Sequence, residues 1–118
     1  MTTASYIFLA GASRGVGLEI AKRLTQQQLK VKALLRTEAP GAELEAMGIK
    51  VVLGDALNVD DVERAILTNE PIHAVISTIG GLPKDGERAD YIGNKNLIDV
   101  AVKAGAKKFI LVSSIGSG

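Results

Sequence analysis

The chain has 118 residues, with 14 Lys+Arg against 13 Asp+Glu for a formal net charge of +1, 47% hydrophobic residues, 3% aromatics, 13 glycines and no cysteine. That length fits one domain, residues 1–118, with one hydrophobic core, and the even charge balance argues against a nucleic-acid binder, which needs a basic footprint. The absence of cysteine excludes disulfide scaffolds, thiol catalysis and cysteine zinc sites, and the single histidine, His73, argues against a histidine metal centre or a Ser-His-Asp triad, so no metal is expected.

Short apolar runs alternate with helical stripes along the chain. Tyr6-Ile7-Phe8-Leu9-Ala10 reads as a first buried strand. Val16, Ile20, Ala21 and Leu24 then share one helical face, with Glu19, Lys22, Arg23 and Gln26 turned away. Val31–Leu35 reads as a second strand, Gly41–Met47 as a short helix after Pro40, and Lys50–Leu53 as a third strand. Val59, Val62, Ile66 and Leu67 form the next stripe, with Asp60 and Asp61 in its first turn, where the helix dipole favours anions. Ala74–Ser77 reads as a fourth strand, with His73 at its start as a structural residue. Ile92, Leu97, Val100 and Ala101 mark a longer helix ending at Gly105, and Phe109–Val112 is a fifth strand.

Strands of this length, rich in Val, Ile and Leu, suit a parallel sheet covered on both faces. The alternating order predicts right-handed crossovers and a doubly wound α/β (Rossmann) sheet of about five strands, in the order 3-2-1-4-5. No apolar run approaches the roughly 20 residues of a membrane helix. Met1–Ala4 shows no basic stretch leading into a long apolar one, so no signal peptide is expected. The expected compartment is a reducing one, the cytoplasm or one resembling a plastid stroma.

The run Gly11-Ala12-Ser13-Arg14-Gly15-Val16-Gly17 joins the first strand to the first helix. Gly11 suits a tight strand-to-helix turn. A residue without a Cβ at Gly15 lets a pyrophosphate approach the backbone, and Gly17 lets the helix pack close to the sheet. A glycine triplet alone is weak evidence, but one that follows the first strand and opens an amphipathic helix is much stronger. The bland alternative is a glycine-rich turn with no ligand. No Gly-x-x-x-x-Gly-Lys loop is present, which argues against P-loop ATP hydrolysis.

Three further strand ends point to the same edge of the sheet. After the second strand stands Arg36, where a site for NAD would carry an acid for the ribose 2′-OH. Its planar fork can pair a 2′-phosphate in two parallel bonds, with Arg14 as a second candidate, so NADPH is expected over NADH; otherwise Arg36 is an ordinary exposed arginine. After the third strand, Asp55 can accept from an adenine amino group, with Ala56 and Leu57 along the ring, or it is simply a turn residue. After the fourth, Thr78, Ile79 and Gly80 are small enough for a cofactor backbone to lie close, or form a plain turn.

At these residues the chain resembles the short-chain dehydrogenases/reductases. It is most similar to their atypical branch, the NAD(P)H-binding proteins related to NmrA and to biliverdin reductase B. The glycine loop carries the likeness, together with Tyr91-Ile92-Gly93-Asn94-Lys95-Asn96-Leu97-Ile98-Asp99 and the run Lys108 to Ser114. The resemblance covers about Ser5 to Ser114. It implies NADP(H) across the strand ends, held by Gly11 to Gly17, Arg36, Asp55 and Thr78 to Gly80. Ser113 or Ser114 matches the place of the family's active-site serine. The Tyr-x-x-x-Lys pair that follows in such proteins is absent from its family place. Tyr91 and Lys95 have that spacing but precede the fifth strand.

The expected function is the NADP(H)-binding domain of an atypical member, an NADPH-dependent oxidoreductase whose catalytic residues are unknown. The alternative is a non-catalytic module that senses redox state or serves as an assembly or scaffold protein. Family members run on for roughly another hundred residues, so the chain is either part of a longer product or a half-fold with a truncated sheet. The fifth strand would then be an apolar edge prone to pair with a second chain.

Overall fold

A computed structural model describes residues 5–11, 15–36, 41–68, 71–78 and 86–112. Five strands, β1 (Tyr6–Ala10), β2 (Lys30–Leu35), β3 (Lys50–Leu53), β4 (Ile72–Ser77) and β5 (Lys108–Leu111), alternate with α1 (Gly15–Gln26), α2 (Gly41–Ala46), α3 (Val59–Ile66) and α4 (Gly86–Ala104). The sheet runs β3-β2-β1-β4-β5, every pair parallel, as the alternation predicts.

Side chains alternate across the sheet with the strand period of two. On β1, Phe8 and Ala10 enter a cluster with Val62, Ala65 and Ile66 of α3 and Leu97, Val100 and Ala101 of α4. Leu9 enters the other cluster, with Ala21 of α1, Leu44 of α2, and Val31, Ala33 and Leu35 of β2. The core is therefore split by the sheet, with α1 and α2 on one face and α3 and α4 on the other. That arrangement places the reversal of strand order between β1 and β4, where doubly wound sheets open a ligand crevice beyond the strands' carboxyl ends.

β4 begins two residues earlier than the apolar run suggests. Tyr6 pairs with Ile72 and Ile7 with Ala74, so His73 is an extra, exposed residue at a bulge. A polar residue there masks the start of the strand to pattern reading. β2 and β5 also each begin one residue early. α4 stops where expected, with Gly105 at a φ of 77°, and its start at Gly86 places both Tyr91 and Lys95 within the helix. β5 pairs with β4 alone among the described residues and leaves Ile110 45% and Leu111 55% exposed.

One cation is buried within an apolar strand. Lys32, on β2, is 1% exposed. Its Nζ donates to Ala65 O at 3.2 Å and Thr68 Oγ1 at 3.1 Å and stands 5.8 Å from the centre of the Tyr6 ring. Ala65 supplies one of the last carbonyls of α3, which have no partner within the helix, so the ammonium caps that end and meets the negative pole of its dipole. This contact lies at the far end of α3 from its capped start at Asn58.

Candidate functional site

The turn out of β1 depends on two glycines. Gly11 has a φ of 90°, a left-handed conformation that a Cβ disfavours. At Gly17, in the first turn of α1, a Cβ would lie 1.8 Å from Gly11 O and 2.9 Å from Thr78 Oγ1. The start of α1 is thus seated directly on the end of β1, as the glycine spacing predicts.

β4 holds this turn from the other side. Thr78 N donates to Ala10 O at 3.0 Å, and its hydroxyl lies 2.9 Å from Gly11 O and 3.2 Å from Ala10 O. Thr78, expected from sequence only to let a cofactor lie close, also anchors the glycine turn through its hydroxyl. Thr78→Val keeps the shape and removes the donor, and is expected to lower folding stability by about 1 kcal/mol. Urea unfolding measures the change; an unaltered midpoint would show that the hydroxyl contributes nothing.

The starts of α1 and α3 differ in charge. α3 satisfies its own: Asn58 Oδ1 accepts from Asp60 N at 2.9 Å and Asp61 N at 3.4 Å, and Asp60 and Asp61 occupy the first turn. α1 has no acidic residue in its first turn. Its leading N–H groups have no intrahelical acceptor, and the positive end of its dipole is not offset by an acid in that turn. Of the two, α1 is the one suited to an external anion such as a pyrophosphate.

The neighbouring strand ends stand in a row. Arg36 directly follows β2 and is exposed. Gly54 N donates to Leu35 O at 2.8 Å, holding the β3 end beside it. Asp55 closes a turn of its own, its Oδ1 accepting from Leu57 N at 2.9 Å. Ala56 is buried in the α3–α4 core cluster, and its carbonyl accepts from Asn96 Nδ2 at 2.8 Å, while Leu57 is exposed. Ser77 and Asn94, both buried, share a hydrogen bond that ties α4 to the end of β4. Lys95 is exposed, with Nζ 2.9 Å from Asp99 Oδ2.

Gly11, Gly15, Gly17, Arg36, Asp55, Ala56 and Thr78 all therefore lie at the carboxyl ends of β1 to β4 or the start of α1, as does the backbone of Val16. Ala12, Ser13, Arg14, Ile79 and Gly80 lie outside the described residues, as do Ser113 and Ser114. Among the described residues no group of His, Cys, Asp or Glu could hold a metal ion. No described helix is long and apolar enough to cross a membrane. Asp61, read from sequence only as a dipole partner, also reaches this row: its Oδ2 accepts from Asp55 N at 2.9 Å. Its spacing to Asp55 carries no signal that would mark this role.

Comparison with known proteins agrees with the geometry. The family model described as NAD(P)H-binding matches residues 11–118. The structure of ChuY, an anaerobillin reductase from Escherichia coli O157:H7, superposes with a TM-score of 0.79 at 33% identity, covering 97% of this chain and 53% of that one. A variant of actinorhodin polyketide ketoreductase solved with NADPH gives a TM-score of 0.71 at 22% identity, covering 89% of this chain and 49% of that one, and shows the fold alone. An uncharacterized chloroplastic protein of Arabidopsis thaliana is 30% identical over 115 residues, covering 92% of this chain. The chain spans 34% and 41% of the length of two curated relatives it matches.

Proposed function

The chain belongs to the NAD(P)H-binding family, and on that premise we propose that it is the NADP(H)-binding domain of an atypical short-chain dehydrogenase/reductase acting as an NADPH-dependent oxidoreductase. The observation that carries this reading is the seat of α1 on β1. Gly17 leaves no room for a Cβ against Gly11 O, and the helix start it positions has no acid in its first turn. A diphosphate fits that geometry by charge and by the close backbone approach.

In this reading Gly11 to Gly17 cradle the pyrophosphate, Arg36 pairs the 2′-phosphate, and Asp55 accepts from the adenine amino group above Ala56. Thr78 to Gly80 flank the nicotinamide half. When bound, the dinucleotide supplies the hydride, and the protein supplies orientation and a fixed electrostatic frame. Calorimetric titration with NADPH tests the reading. Saturable one-to-one binding is expected, and no binding at millimolar nucleotide would overturn it.

The engagement of Lys95 by Asp99 favours a second reading. The one Tyr-x-x-x-Lys spacing in the chain then does no chemistry, and the domain holds NADP(H) as a redox-sensing or scaffold module. Oxidation of bound NADPH by a carbonyl or tetrapyrrole acceptor, followed at the dihydronicotinamide absorbance, separates the two: turnover supports the first and binding without turnover the second.

The apolar edge at β5 is the partner surface of this proposal, taken by a second copy of the chain through strand pairing. Sedimentation of residues 1–118 across a wide concentration range should show self-association. Ile110→Lys, an edge charge, should return it to monomer. A wild-type monomer at every concentration would remove the partner.

A further inference from the structure

Asp61 stands at the start of α3, but its carboxylate does not cap that helix. Asn58 already caps the helix. The Asp61 carboxylate instead accepts from Asp55 N through Oδ2 at 2.9 Å and from Arg64 Nη2 through Oδ1 at 3.0 Å. Arg64 Nη2 is also within 3.5 Å of Leu53 O, at the end of β3. The Asp61 side chain is 22% exposed and that of Arg64 62%.

Asp61 comes close to Gly54. A Cβ there would lie 3.1 Å from both Asp61 Cβ and Leu34 Cδ1, tighter than ordinary contact. The hydrogen bond from the Asp55 amide is the main cause that holds the Asp61 carboxyl below its ordinary value; burial opposes it, and the Arg64 guanidinium adds to the lowering. The anion is therefore the form that meets Asp55 at neutral pH.

Two bonds then set the Asp55 carboxylate. Its own amide is held from behind by Asp61, and its Oδ1 is closed onto Leu57 N in front. Oδ2 of Asp55 accepts no hydrogen bond among the described residues.

We infer that Asp61 is a positioning residue for purine recognition: through the Asp55 amide it aims the open oxygen of Asp55 at the exocyclic amino group of the bound adenine. The inference rests on the reading of Asp55 in the proposed function. It goes beyond that reading by assigning base selectivity to a residue that touches no ligand.

The probe pair is NADPH and its deaminated analogue, which carries hypoxanthine in place of adenine. The analogue has a ring carbonyl where adenine has the amino group, so a carboxylate that accepts from one faces a like partial charge on the other. Wild type should favour NADPH by about tenfold or more, the worth of one hydrogen bond to a charged group. Asp55→Ala should erase that preference.

Asp61→Ala should erase it too, and Asp61→Asn, which keeps a carbonyl acceptor for the Asp55 amide, should retain most of it. Asp61→Ser, polar but too short to reach the amide, serves if the alanine variant does not fold. A stability role alone would lower affinity for both nucleotides and leave their ratio unchanged. A folded Asp61→Ala or Asp61→Ser with the wild-type ratio would overturn the inference. A wild type that binds both nucleotides equally would instead overturn the reading of Asp55, which keeps the two failures apart.

Discussion

Gly17→Ala is expected to cost about 3 kcal/mol of folding stability, at the upper end for overpacking, and to abolish NADPH binding. The added Cβ would sit 1.8 Å from Gly11 O and 2.8 Å from Gly11 C. Those are backbone atoms, and Gly11 is held by Thr78, so no side-chain rotation relieves the clash. Relief requires α1 to lift off β1, which withdraws its leading N–H groups from the crevice. Out of a total stability of roughly 5–15 kcal/mol, such a loss is large. Gly41→Ala is the internal control: its Cβ would meet Val51 Cγ1 at 3.5 Å, an ordinary contact. Its effect should stay within about 0.5 kcal/mol. Urea unfolding and calorimetry on both variants decide the matter, and a Gly17→Ala protein of wild-type stability would show that α1 is not seated on Gly11.

Arg36→Ala should weaken NADPH binding by about tenfold to a hundredfold and leave NADH unchanged. Arg36 emerges from β2 beside the Leu35–Gly54 hydrogen bond, which fixes the strand end, while its side chain is exposed and free to meet an anion from solvent. A guanidinium pairs two phosphate oxygens at once, so Arg36→Lys should recover only part of the loss despite keeping the charge. The effect should also shrink as salt is raised, because an exposed pair is screened. Parallel titrations of both nucleotides measure it. Equal weakening of NADPH and NADH would mean that Arg36 supports the fold of the site, and no weakening of either would mean that the 2′-phosphate is met elsewhere.

The features that pattern reading reached share a physical basis: each is a demand made by a few consecutive residues on themselves. A left-handed φ at Gly11 and Gly105 is met at least cost by glycine. Buried parallel strands need continuous apolar runs, and Tyr6–Ala10 and Lys50–Leu53 were placed to the residue. Strand order follows from alternation and the hand of the crossover, and with it the sheet topology and the line of Gly11, Arg36, Asp55 and Thr78 along one edge.

The features that escaped it are contacts that no helix period, strand period or glycine conformation encodes. Asp60 and Asp61 are adjacent and chemically identical, yet it is the Asp61 carboxylate that accepts from the Asp55 amide, beside the close approach at Gly54. Lys32 lies in an apolar run, and only the packing of α3 over β2 supplies the carbonyl and hydroxyl that let its ammonium be buried. The Thr78 hydroxyl finds Gly11 O across 67 residues, because the register of β4 on β1 brings the two strand ends level. The sequence by itself determined the fold class, the strand order and the edge that gathers Gly11, Arg36, Asp55 and Thr78, since helix period, strand period and glycine conformation are local properties. Which polar groups hold that edge in shape was decided only by the tertiary structure, because a hydrogen bond between distant residues depends on where the sheet register and helix packing place its donor and acceptor.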